Sequence, residues 1–208
     1  MPESKQESSV FEQYVPFIVN NFPSSYLAAV APSAQRIVHV GEIDPAIYSC
    51  SRDGIESVIA AEINPTAAAI GLWKKEAIRQ YDRFDYIALL SLIFDFPLKG
   101  YVGFALKRRK EEIGPFAHER NTQIMESLPI WARDRLEQFL QRPNIGMVNG
   151  PITNMHYLDS DLYETVRSNL DRLDIQVANI FEQLPLSEKV DLISMNNILD
   201  YTEGDLTG

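Results

Sequence analysis

The chain has 208 residues, 45% of them hydrophobic, and a formal net charge of −10. That length supports one ordinary domain with a sizeable core, and the acidic balance argues against duplex nucleic acid as the main partner, because phosphate binding wants a basic face. The single cysteine, Cys50, excludes an intrachain disulfide and a cysteine-only zinc site. The polar start, Met1-Pro2-Glu3-Ser4-Lys5-Gln6-Glu7, lacks the apolar centre of a signal peptide. No run approaches the ~18–20 apolar residues of a membrane span, so the expected location is the cytoplasm.

Residues 1–8 read as a disordered start, followed by a helical pattern from Ser9 that Pro16 interrupts and a short helix over Ser24 to Val30. Arg36-Ile37-Val38-His39-Val40-Gly41 is a β-branched run closed by a glycine, the pattern of a first strand. Beyond it, Glu42 to Cys50 is expected to form a short crossover helix capped by Asp44, with Pro45 in its first turn. Ser57-Val58-Ile59-Ala60-Ala61-Glu62 is a short apolar run ending in an acid, as in a buried parallel strand. Asn64 is a good N-cap and Pro65 suits the first helical position, since its missing N–H would go unpaired there anyway. Glu62 thus stands at the carboxyl end of a strand, where open α/β sheets bind ligands and where an acid can accept hydrogen bonds from ribose hydroxyls.

Glu62 follows Gly41 by 21 positions, close to the roughly 20 that separate the glycine turn from the ribose-binding acid in nucleotide-binding βαβ units. The three-glycine fingerprint is missing, which argues against NAD or FAD, whose pyrophosphate needs close backbone approach. An adenosine ligand without phosphates asks less of the loop.

After Pro65 the chain stays helical for a long way. Thr66 to Tyr81 carries Ile70, Trp73, Ala77 and Ile78 on an apolar side, with Lys74, Lys75, Glu76 and Arg79 around them. Asp82 is placed to cap a next helix with Phe84, Ile87, Ala88, Leu90, Ser91 and Phe94 as its apolar set. The run Lys107-Arg108-Arg109-Lys110-Glu111-Glu112 is expected to be a solvated face, with contact to an anionic head group as the alternative. Helices over Asn121 to Ser127 and Pro129 to Gln141 complete an insertion or lid spanning residues 66–141; Glu126 and Arg133 in it are structural or substrate-facing. Pro143 to Pro151 is turn-rich. A helix over Asp161 to Leu173 precedes a third strand, Asp174 to Ile180, and a brief helical link at Phe181 to Pro185 leads to a fourth, Val190 to Met195. The expected architecture is an α/β, Rossmann-like parallel sheet of order 3-2-1-4 with a long helical insertion between strands two and three. A local echo links Glu42-Ile43-Asp44-Pro45 to Glu62-Ile63-Asn64-Pro65.

The strand ends Gly41-Glu42, Glu62-Ile63-Asn64, Asn179-Ile180 and Asn196-Asn197 converge in this arrangement, which resembles the class I S-adenosylmethionine-dependent methyltransferase fold. The resemblance implies that Gly41 holds the methionine part, Glu62 the ribose and Asn179 the adenine, with Asn196-Asn197 beside the sulfonium and Glu42, Ile63, Asn64 and Ile180 as further cofactor-binding candidates at the same strand ends. A closer resemblance is to the betaine-lipid synthase type of 3-amino-3-carboxypropyl transferase. It rests on Ala61-Glu62-Ile63-Asn64-Pro65, the helix to Arg79 and Ser194-Met195-Asn196-Asn197-Ile198-Leu199-Asp200-Tyr201. It implies S-adenosylmethionine as the group donor and a small-molecule or lipid head-group acceptor. Aminocarboxypropyl transfer or rearrangement, releasing methylthioadenosine, stands ahead of methyl transfer. The chain departs from that family in lacking further glycines after Gly41 and in stopping at four strands. The full fold has three more, so either the chain is truncated, the fold is reduced, or a partner chain or dimer completes the sheet.

Asp200 is the best-placed base for an alcohol or amine acceptor, or else a cap for the next helix. Tyr201, Tyr48 and Trp131 are aromatic candidates for facing a sulfonium. His39 reads as a packed core histidine, and His118 and His156 lack ligand spacing, so no metal is expected. No nucleophilic serine or cysteine arrangement is apparent in the sequence. The competing class is a non-catalytic partner subunit with a degenerate cofactor site.

Overall fold

The structure is a computed structural model and describes residues 31–94, 104–141, 155–178 and 189–195. The expected helices before residue 31, the turn-rich 143–151 segment and the link at 181–185 lie outside the described residues.

Four short strands form one all-parallel sheet: β1 (Arg36–Val40), β2 (Ser57–Glu62), β3 (Leu173–Val177) and β4 (Leu192–Met195), in the order β3-β2-β1-β4. Val40 lies opposite Ala61 of β2 and Met195 of β4, and Glu62 lies opposite Val177 of β3. The carboxyl ends therefore finish side by side. Buried parallel strands favour β-branched and small apolar residues, which is what Ile37, Val38, Val58 and Ala60 supply, each 0–1% exposed.

Helix α1 (Ile43–Ser49) packs on β1 and β2, and α2 (Pro65–Gln80) packs on β2, β3 and α1. The helix α2 begins as its sequence dictates, with Pro65 in its first turn and the Asn64 side chain accepting from the amides of Thr66 at 2.8 Å and Ala67 at 3.2 Å. Gly71 lets it lie close: a Cβ there would stand 2.9 Å from Ile43 Cδ1 and 3.3 Å from Ile175 Cδ1. The start of α1 differs from expectation. Asp44 does not cap it; the helix already begins at Ile43, Glu42 holds the cap position without a side-chain cap bond, and Asp44 lies inside the first turn. Gly41, at φ 69°, allows this early turn.

The insertion between β2 and β3 continues through α3 (Arg83–Ile93), α4 (Phe104–Ile113), α5 (Ala117–Ser127) and α6 (Ile130–Leu140), and α7 (Ser160–Asn169) returns the chain to the sheet. Helices α5 and α6 pack on the far side of α2, while α4 and α5 pack on α3. One core runs through both layers, from Ile37 and Val58 through Trp73, Ile78 and Leu89 to Leu136 and Val166. Trp73 anchors the junction, edge-on to Phe94 with ring centroids 4.9 Å apart and its indole N–H donating to Asn121 Oδ1 at 2.8 Å.

This two-sided packing overturns the one-stripe reading of α2. Lys74, expected among the polar residues, is 1% exposed and buried between layers. In α3, Asp82 caps as expected, accepting from the Asp85 amide at 2.9 Å. Phe84, expected in the apolar set, is instead 39% exposed, with the Arg83 guanidinium over its ring. The basic run is not wholly a solvated face either. Arg109 bonds Asp85 on α3, Lys110 donates to Ser91 Oγ at 2.8 Å, and Arg108 donates to Glu112 at 2.9 Å. Arg133 is structural: it donates to the carbonyls of Met125 and Glu126 at the end of α5. Glu126 itself is exposed. The helix expected to reach Leu173 gives way to a 3-10 turn at Leu170–Arg172, Leu173 already belongs to β3, and the Asn169 side chain at the helix end donates to the Cys50 carbonyl at 2.9 Å. No described helix is long and apolar enough to cross a membrane.

Candidate functional site

The carboxyl ends of β1 and β2 present two carboxylates held in different ways. At the end of β2, the Asn64 amide donates to Glu62 Oε1 at 3.0 Å, a local turn that also aims Asn64 Oδ1 at the first amides of α2. Glu62 remains in the sheet, its carbonyl accepting from the Ala178 amide at 3.0 Å. Its side chain is 8% exposed. Burial pushes its carboxyl up to about 7, against the opposing pull of the Asn64 and Ile63 amides. Such a group exchanges its proton near neutrality and accepts hydroxyl donors once ionised. Ile63 is half-buried and Asn64 buried.

At the end of β1, Gly41 is exposed and its amide donates to the Ala61 carbonyl at 2.9 Å. Among the described residues, its two chain neighbours aside, no atom lies within 4 Å of where a Cβ on Gly41 would stand, so these residues leave open space beside this turn. Glu42 points the other way. It is 2% exposed, and its Oε2 accepts from Ser194 Oγ of β4 at 2.6 Å. The same oxygen lies 3.4 Å from His39 Nδ1, and His39 Nε2 lies 2.9 Å from Ser49 Oγ of α1. With Nδ1 protonated, Nε2 accepts the Ser49 hydroxyl. The sequence offered no sign of this Ser49–His39–Glu42 line, which has the order of a nucleophile, base and orienting acid. All three are 0–2% exposed. An acyl substrate needs access to the hydroxyl, and burial denies it, so the line acts as a buried hydrogen-bond chain.

A second polar cluster also escaped the sequence. Lys74 Nζ donates to Asp44 Oδ1 at 2.7 Å, Tyr157 Oη donates to the same oxygen at 3.0 Å, and Tyr86 Oη lies 3.1 Å from Tyr157 Oη. Both tyrosines are fully buried, and burial raises both phenols far above their ordinary value. Burial lowers Lys74, opposed by the Asp44 charge. The cluster joins the first turn of α1 to α2, α3 and the 3-10 turn at His156–Leu158, so the insertion is fastened to the start of the helix that follows β1. The sequence signal was available only in part: an acid in a first helical turn and tyrosines in apolar settings, with nothing to pair them across 113 positions.

Of the other candidates, Asn179, Ile180, Asn196, Asn197, Asp200 and Tyr201 lie outside the described residues. Tyr48 is half-buried and edge-on to His156, with ring centroids 6.4 Å apart. Trp131 is 41% exposed on the first turn of α6. Among the described residues, no three His, Cys, Asp or Glu side chains are grouped to hold a metal ion. A shallow groove of about 400 Å³ lies between α3 and α4, lined by Asp82, Phe84, Ala105, Arg108, Arg109 and Glu112. It is built from the outer helices and not from strand ends, and its arginines bond neighbouring acids. The gap in glycines after Gly41 is matched by the inward turn of Glu42, so of the two strand ends β2 offers the freer carboxylate. Comparison of the chain with known protein families, with characterised proteins and with solved structures finds no match.

Proposed function

We propose that this chain binds S-adenosylmethionine at the carboxyl ends of β1 and β2 and transfers or rearranges its 3-amino-3-carboxypropyl group, with release of methylthioadenosine. The observation that carries this reading is Glu62: a largely buried carboxylate at the end of the second strand of a 3-2-1-4 parallel sheet, beside an open glycine turn and without a phosphate loop. Glu62 would accept the two ribose hydroxyls. The space that the described residues leave beside Gly41 would take the rest of the substrate, and the residues after β4, Asn196 and Asn197, would flank the sulfonium.

In the reaction proposed, the acceptor's lone pair forms a bond to the carbon of the aminocarboxypropyl chain that is attached to sulfur. That carbon–sulfur bond breaks, sulfur keeps the electron pair, and neutral methylthioadenosine leaves. The acceptor's proton passes to a carboxylate, for which Asp200 is the candidate. Methyl transfer uses the same donor and differs in which carbon the acceptor reaches, so positioning decides the product. A small molecule or a lipid head group serves as acceptor, and the substrate's own amino group does so in the rearranging case.

Calorimetric titration with S-adenosylmethionine tests binding, and Glu62→Ala should weaken it. Product analysis then separates the reactions: methylthioadenosine for aminocarboxypropyl transfer, S-adenosylhomocysteine for methyl transfer. Methylthioadenosine formed without added acceptor identifies rearrangement. A second reading, a non-catalytic subunit with a degenerate site, draws on the inward turn of Glu42 toward Ser194. It predicts no binding by the folded chain.

A further inference from the structure

A sheet of order β3-β2-β1-β4 reverses its direction of winding between β1 and β4, and the crevice beyond the carboxyl ends of such a pair is where open α/β sheets take ligands. A side-chain hydrogen bond crosses that crevice here. Ser194 lies opposite His39 and Met195 opposite Val40, so β4 ends level with β1. Glu42 leaves β1 two residues beyond Val40 and reaches back to accept from Ser194 Oγ at 2.6 Å. His39 Nδ1, 3.4 Å from the same oxygen, links the pair to Ser49 on α1. One carboxylate oxygen thus joins the glycine turn to β4 and, through His39, to the first helix, and both ends of the tie are buried, Glu42 2% exposed and Ser194 7%.

We propose that Glu42 is a positioning residue, not a ligand-contact residue: it ties the turn after β1 to the end of β4 and sets the shape of the crevice for the aminocarboxypropyl arm. This rests on the adenosyl reading of Glu62. With the ribose at β2, a ligand extending across the sheet passes the end of β1 and reaches β4 two strand spacings away, about 10 Å. The arm, not the adenosine, therefore crosses the tie. Both partners of this hydrogen bond are buried, so neither finds a ready replacement when it is lost, and its removal should open the turn selectively.

The test is titration of S-adenosylmethionine and of methylthioadenosine, which lacks the arm, into the wild-type chain and the Glu42→Ala, Glu42→Gln and Ser194→Ala variants. Glu42→Ala should lose about tenfold or more in affinity for S-adenosylmethionine while its affinity for methylthioadenosine stays within about twofold. Glu42→Gln keeps an oxygen to accept the Ser194 hydroxyl and should recover most of the loss. Equal weakening of both ligands, or of neither, overturns the positioning role while leaving the adenosyl reading intact. A folded wild-type chain that binds neither ligand overturns that reading instead. Hydrogen exchange then decides the tie alone: faster exchange of the Gly41 and β4 amides in Ser194→Ala supports it, and unchanged exchange overturns it. If Glu42→Ala does not fold, Ser194→Ala and Glu42→Gln carry the same comparison.

Discussion

Two copies of nearly the same tetrapeptide stand at the turns between the first two strands and their helices, and they meet different fates. In Glu62-Ile63-Asn64-Pro65 the acid is the last strand residue, the asparagine caps the helix and the proline follows in its first turn. In Glu42-Ile43-Asp44-Pro45 the strand has already ended at Val40, the acid holds the cap position, and Asp44 lies within the helix. The difference begins beside the motif. Gly41 takes a left-handed φ and turns the chain at once, whereas Ala61 and Glu62 keep pairing because β3 runs on to Val177 beside them. Two positions of offset redirect both polar residues. Glu42 goes to Ser194 and Asp44 to Lys74, while Glu62 accepts from the local Asn64 amide and Asn64 serves its own helix. A local motif sets which groups are present; its neighbours set where they point.

The contrast can be broken most forcefully at Asp44. Lys74→Ala removes the cation paired with a carboxylate that is 1% exposed, leaving it the Tyr157 hydroxyl, and should cost about 3–5 kcal/mol in urea unfolding, the range for breaking a buried ion pair from one side. Replacing both residues together, Lys74→Met with Asp44→Leu, should recover most of that loss. Loss from the double variant as large as from the single one would mean that the pair itself, not the stranded charge, holds the layers.

At the other copy, the acid should report through pH. Folded, Glu62 holds its proton to about 7, against an ordinary value of 4.5. The folded chain therefore binds more protons in that window, so this group's contribution is fully present below about pH 4.5 and is lost as pH rises through 7. The expected change is about 3 kcal/mol, and Glu62→Gln should flatten it in unfolding curves measured across pH. By the same logic an adenosyl ligand that needs the ionised carboxylate should bind more tightly at pH 8 than at pH 5.5, in titrations of the wild-type chain.

Smaller effects sharpen the backbone side of the comparison. Gly41→Ala meets no neighbour within 4 Å among the described residues, so its expected cost is that of the left-handed backbone, about 1–2 kcal/mol by thermal or urea unfolding. Asn64→Ala leaves the Thr66 and Ala67 amides without their acceptor, at about 1 kcal/mol in the same measurement. Glu42 makes no such cap bond, so its substitution should act through Ser194 and not through helix stability.

Much of the frame was legible in the amino-acid sequence. The β-branched runs at Ile37–Val40 and Val58–Ala61 located the strands, because buried parallel strands select such residues whatever surrounds them. Asn64-Pro65 and Asp82 located helix starts, because a cap bonds amides two or three residues away. The helical excursion followed from these boundaries and the rule that parallel strands need crossovers, while the sheet order came with the resemblance to the methyltransferase fold. Glu62 was identifiable as a strand-end acid for the same local reason.

What only the tertiary structure decided is what each polar group faces. Lys74 looked solvated because one amphipathic stripe was assumed for α2, yet that helix is covered by the sheet on one side and by α5 and α6 on the other. Phe84 looked buried by spacing, yet α3 turns it outward. The partners of Glu42 and Asp44 lie 152 and 30 positions away, beyond any local pattern. Capping and strand propensity act over a few residues and so can be read along the chain. Burial and pairing depend on which distant segments arrive, and a carboxylate's chemistry depends on them.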